Sequence, residues 1–157
     1  MEAKGLWKGG YETRLEDDRG HVVTVDLPVD EGGRNAGTSA LELMVLSLAG
    51  CVSTVFTLVA EKRRLAFSGL HVSLSAERRP GAPTIERVHG EVEVEVETHA
   101  PKEDVETALR LTLKSCPVGV LLRHAHVPVE VVARVVVPPP VKEAELPYEI
   151  PEPEWAL

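Results

Sequence analysis

Basic residues are in deficit in this 157-residue chain, where 17 Lys and Arg stand against 25 Asp and Glu for a formal net charge of −8. A surface of that sign repels a phosphate backbone, so general nucleic-acid binding is disfavoured. Aromatic residues are scarce at 4%, which argues against base-stacking platforms. The only cysteines are Cys51 and Cys116, too few for a secreted disulfide scaffold or a four-cysteine zinc site. The opening residues MEAKGLWKGG lack an apolar signal-peptide core, so a cytoplasmic location is expected, where a thiol pair is more often chemical than structural. No GxSxG, HExxH or CxxC pattern occurs, which removes the signatures of serine hydrolases, zinc proteases and thioredoxin-type proteins. The Gly-rich DEGGRNAG (30–37) matches neither GxGxxG nor a P-loop, so no nucleotide site is expected. Of the histidines, only His124 and His126 lie close in sequence, and that spacing carries no metal-ligand signature.

What the chain does have is apolar content, at 43%, and a length suited to one packed domain. Leu43 to Ala60 holds eighteen residues without a charge, followed by Lys62, Arg63 and Arg64. That is long enough to span a bilayer, but Ser47, Gly50, Ser53, Thr54 and Thr57 lower its apolarity. A helix apolar nearly all round is also what a domain centre requires, and we read it as a core helix rather than a membrane span. Ser39 followed by Glu42 is a capping-box start, and the trailing cations suit a helix C-terminus. Leu41, Met44, Val45, Leu48, Val52, Val55 and Val59 form an apolar stripe; Ser47, Gly50, Thr54 and Thr57 form a small-residue stripe on which a second helix is expected.

Residues 6–14 and 21–27 read as strands of a hairpin, with LEDDRG as the turn. Residues 70–77 and 87–99 alternate as half-exposed strands around the turn RRPGAP (78–83). Glu91, Glu93, Glu95 and Glu97 share one strand face, the pattern of a solvated surface. Pro101 suits the start of a helix running to about Lys114. Ser115-Cys116-Pro117 then breaks it, with Cys116 as cap of a short helix to about Arg123. VPVEVVARVVV (127–137) reads as a last strand, ended by Pro138-Pro139-Pro140. The pattern predicts an α/β (α+β) fold over residues 1–137 and a Pro/Glu-rich tail over 138–157. A helix of ~25 residues spans ~37 Å, long for a domain of this size, so part of its apolar surface calls for a partner chain.

The thiols are the main chemical feature. A thiolate is the reactive form, and a helix N-terminus or a cation favours it. Cys116 has the helix start; Cys51, in mid-helix, needs a cation, with Arg14, Arg19 and Arg34 as upstream candidates. Buried free cysteines acting as small hydrophobes are the plain alternative.

The segment GGRNAGTSALELMVLSLAGCVSTVFTLVAEKRRL (32–65) resembles the hallmark of the OsmC/Ohr family, and CPVGVLL (116–122) resembles its second cysteine motif in the expected order. The resemblance covers roughly residues 5–137. It implies long central helices wrapped by antiparallel β-sheets, in an intertwined homodimer. It implies thiol-dependent reduction of organic hydroperoxides, with Cys51 as peroxidatic thiolate and Cys116 as resolving thiol. It further implies re-reduction by a dihydrolipoyl-type dithiol and no metal or bound cofactor. Tyr11 stands where strict peroxidases of the family have an Arg, and Leu41 where they have a Glu. Arg14, Arg34 and Glu42 are the nearest replacements. A redox-sensing or small-ligand-binding protein with little turnover is the alternative reading.

Overall fold

The computed structural model describes residues 1–96 and 102–124. The expected strand 127–137, the tail 138–157, Pro101, His99 and His126 lie outside the described residues.

Three strands open the chain, β1 (Ala3–Gly9), β2 (Glu12–Asp17) and β3 (Val22–Val25), paired antiparallel in that order. This corrects the single strand expected over 6–14. Gly9 and Gly10 take φ of 111° and 56°, a region open to glycine at no steric cost. The chain therefore reverses at Gly9-Gly10-Tyr11, and β2 takes up residues read as turn. The reversal at the other end, between β2 and β3, is held by Asp17, whose carboxylate accepts the Arg19 and His21 N–H groups.

Between β3 and the long helix runs a loop containing a single 3-10 turn, Val29–Glu31. Its centre is Asp26, buried at 3% exposure. The Asp26 carboxylate accepts the backbone N–H groups of Ala36 and Arg34. Those bonds, Ala36 foremost, hold it below the usual carboxylate range against the opposing cost of burial. A Cβ on Gly33 would sit 1.9 Å from the Leu27 carbonyl oxygen, and one on Gly37 2.1 Å from that of Thr24. Only glycine permits so close a return of the loop on itself.

Helix α1 (Ala40–Arg63) starts as its sequence dictates. Ser39 Oγ accepts the Glu42 N–H, and Glu42 Oε2 accepts the Ser39 N–H. Arg64, at φ 57°, closes the helix in the left-handed region. Strands β4 (Phe67–Glu77) and β5 (Arg87–Val96) form an antiparallel pair whose register sets His71 opposite Glu93 and Val72 opposite Val92. Helices α2 (Lys102–Ser115) and α3 (Pro117–His124) follow, parted by Cys116 alone.

The core lies where α1 meets β4 and α2. Val52, Phe56 and Ala60, spaced by four on one face of α1, are buried, and Ala108 and Thr112 of α2 join them. Phe56 and Phe67 meet edge to face with ring centroids 5.3 Å apart, the arrangement aromatic quadrupoles favour. Thr112 satisfies its buried hydroxyl by donating to the Ala108 carbonyl. The same device recurs along α1, where Ser53, Thr54 and Thr57 donate to the carbonyls of Ala49, Gly50 and Ser53. Among the described residues nothing covers most of the small-residue face: Ser47, Gly50 and Thr54 are exposed. Leu46 and Leu58 are also left 57% and 49% exposed.

The capping box makes a measurable claim. Ser39→Ala is expected to cost about 1 kcal/mol in chemical denaturation at neutral pH. Ser39 N–H donation holds the Glu42 carboxyl below its usual range. Its contribution is therefore full above the ordinary Glu value and disappears as pH falls through the lowered one. The stability gap between wild type and Glu42→Gln should close on acidification.

Candidate functional site: a thiol pair at a helix joint

Cys51 comes to the site from the middle of α1, one residue before the buried Val52. Cys116 comes from the joint between α2 and α3. Proline favours a first helical position because its missing N–H would have no partner there, so Pro117 starts α3 and Cys116 becomes its cap. The Cys116 N–H donates to the Thr112 carbonyl and its carbonyl accepts the Val120 N–H, both closing helical turns. Both motifs therefore fix their sulfur through helix geometry rather than through a flexible loop.

The two sulfurs stand 2.8 Å apart as free thiols, with Cys116 Sγ donating to Cys51 Sγ. Cys116 is fully buried and Cys51 half-buried. The start of α3 supplies a donor to the pair, since Gly119 N–H points at Cys116 Sγ, 3.4 Å away. Burial pushes the Cys51 thiol above the usual thiol value, and the neighbouring sulfur raises it further, while the Val118 N–H pulls the other way. The pair is thus arranged to share a proton or form a bond, and less readily to hold two negative charges.

A cavity of about 790 Å³ adjoins the pair. Met44, Leu48 and Val52 of α1, Val92 of β5 and Leu109 of α2 give it apolar walls, Cys116 forms part of its lining, and Arg87, His89 and Arg123 bring basic groups to it. Sequence reasoning did not foresee it, because it forms between elements far apart along the chain.

The remaining candidates stand elsewhere within the chain. Arg14, on β2, pairs with Glu16 at 2.9 Å. Arg34 pairs with Glu12, also of β2, while its backbone is held by Asp26. Arg19 pairs with Asp17 at the hairpin. Glu42 serves the helix cap, and its Oε2 also accepts the Thr38 hydroxyl. Glu42 and Cys51 stand nine positions apart on the helix, about 13.5 Å of rise at 1.5 Å per residue.

A family model described as OsmC-like protein matches residues 32–132. No curated protein matches the chain in sequence. Among solved structures, an OsmC-like protein from Mycoplasma pneumoniae aligns with a TM-score of 0.67 at 15% identity, over 78% of this chain and 86% of that one. An organic hydroperoxide resistance protein from Legionella pneumophila gives 0.55 at 19% identity, over 78% and 88%. One from Elizabethkingia anophelis gives 0.54 at 17% identity, over 77% and 86%. At such identities the likeness is one of fold. The chain belongs to the family of OsmC-like proteins.

Oxidation offers a direct check on the geometry. Closing the bond needs the sulfurs to move only from 2.8 Å to about 2.05 Å. Diamide treatment of the native protein is expected to consume both thiols and leave a Cys51–Cys116 disulfide in the peptide map. Crosslinked pairs of chains on a non-reducing gel, in place of the internal bond, would contradict this.

Proposed function

We propose that this OsmC-like chain is a thiol-dependent peroxidase for organic hydroperoxides. The observation that carries the reading is the pair of sulfurs in bonding range, one of which, on Cys116, belongs to the lining of a largely apolar cavity. The cavity accepts a hydrocarbon body, and the pair supplies the two electrons that a peroxide bond takes up.

In this mechanism the Cys51 thiolate attacks the terminal oxygen of the hydroperoxide. The O–O bond breaks, Cys51 becomes a sulfenic acid, and the alkoxide leaves as the alcohol on taking a proton. Cys116 then attacks the Cys51 sulfur. The disulfide forms, and the sulfenic oxygen departs as water. Van der Waals proximity makes this second step fast. A dihydrolipoyl-type dithiol restores both thiols by exchange and is itself oxidised to a disulfide.

The first step needs a cation at Cys51, since burial alone disfavours its thiolate. We assign that cation to a second copy of the chain, from Arg34 or Arg14, with Glu42 of the same copy beside it. The rise of α1 separates Glu42 from the sulfur of its own chain. The exposed Leu46 and Leu58 and the uncovered small-residue face supply apolar surface for a homodimer. A soluble, cytoplasmic dimer is consistent with α1 serving as a core helix.

The raised Cys51 thiol, with Tyr11 and Leu41 at two family positions, favours a second reading in which the pair oxidises stoichiometrically as a redox sensor. Steady-state kinetics separate the two. With cumene hydroperoxide and dihydrolipoamide, multiple turnover is expected, and Cys51→Ser should lower kcat/KM by about a thousandfold, the scale of losing an activated nucleophile. Cys116→Ser should keep a single stoichiometric oxidation of Cys51. Turnover in Cys51→Ser at the wild-type rate would sink both readings; oxidation without turnover in wild type would select the sensor. Sedimentation is expected to give a dimer at micromolar concentration, and a ~17 kDa species alone would refute the assigned partner cation.

A further inference from the structure

One residue, Cys116, is the entire joint between α2 and α3. A joint so short leaves the position of its sulfur to whatever fastens one helix to the other. The last carbonyls of α2 have no partners within that helix. Arg123, in the last turn of α3, reaches back to them: Nη1 donates to the Leu113 carbonyl at 3.0 Å and Nη2 to the Lys114 carbonyl at 3.2 Å. The guanidinium passes beside the buried Gly119. A Cβ there would lie 3.4 Å from Arg123 Nη1 and 3.6 Å from Cys116 Sγ. Gly119 also donates its N–H to that sulfur. Strap, glycine and thiol thus form one packed unit.

We propose that Arg123 is the positioning residue of the thiol pair: by strapping the end of α3 to the α2 carbonyls, it holds Cys116 Sγ within bonding range of Cys51. A planar fork with two separate donors spans two successive carbonyls, whereas a single ammonium cannot do so with the same direction. Arg123 also lines the cavity beside Cys116, but the action assigned to it runs through the joint and requires no substrate contact. The inference rests on the redox reading of the pair, but not on a peroxide being its oxidant.

The test is the disulfide equilibrium of the full chain in glutathione buffers. Two electrons and two protons pass from the Cys51 and Cys116 thiols to glutathione disulfide; the internal S–S bond forms and two glutathione thiols are released. Arg123→Gln is expected to lower the effective concentration of the pair about tenfold, a shift of about 30 mV away from the disulfide. A role confined to stability would lower Tm and leave this equilibrium in place. An unchanged equilibrium overturns the proposal. A shift toward the disulfide also overturns it, because that is the sign expected if Arg123 only stabilised thiolates of the reduced form. Should Arg123→Gln fail to fold, Arg123→Lys takes its place, with an expected loss of about threefold from the missing second donor; a wild-type value there rejects the strap. No peroxide enters the measurement. A protein inert toward cumene hydroperoxide therefore ends the peroxidase reading without touching this result, and a wild-type equilibrium in an active Arg123→Gln enzyme ends this proposal alone.

Discussion

The contact between Cys51 and Cys116 is the constraint on which the remaining chemistry depends. It joins positions 65 residues apart in sequence, and neither local segment produces it alone. Packing does so: Val52, Phe56 and Ala60 press α1 onto the same core that takes Ala108 and Thr112 of α2. Once those faces are buried, the residue next to Val52 and the cap that follows α2 have little freedom left. On the proposed reading, redox chemistry at this site would be a by-product of core burial. A loss of core packing would be felt first as a separation of two sulfur atoms.

The second constraint is charge. In the proposed reaction, a largely apolar wall would suit a hydrocarbon substrate and shield a sulfenic acid, yet it would oppose the thiolate that begins the reaction. Within the chain, Arg14 and Arg34 are engaged by Glu16 and Glu12, and the Asp26-centred loop anchors the backbone of Arg34. A pre-ordered cation on a fixed loop, next to uncovered apolar helix, is consistent with a centre completed by assembly. On that reading, assembly would set the reactivity of Cys51, and dilution would weaken it.

Much of the fold was legible because it rests on short-range rules. Ser39 and Glu42 marked the start of α1, Pro117 made Cys116 a cap, and strict alternation gave β4 and β5. The missed feature at the N-terminus was local too: Gly9-Gly10 interrupts a run of strand-forming residues, and β propensity concealed a turn that glycine makes cheap. Long-range features were legible only through resemblance or not at all. The two cysteines could be paired from the motif order, but nothing in the spacing shows that Arg34 turns to Glu12, or that Arg123 ties two carbonyls across a joint. Those contacts depend on how helices and strands come to rest on one another, which periodicity does not encode.

The hydroxyls of α1 carry a consequence of their own. Ser53, Thr54 and Thr57 donate their protons to carbonyls one turn back, so none of them needs water as an acceptor. A hydropathy scale scores this stripe as hydrophilic. In wetting terms it is less demanding than it looks: a neighbour lying flush along it would leave these three donors satisfied, while the absence of bulky side chains would allow two backbones to run unusually near each other.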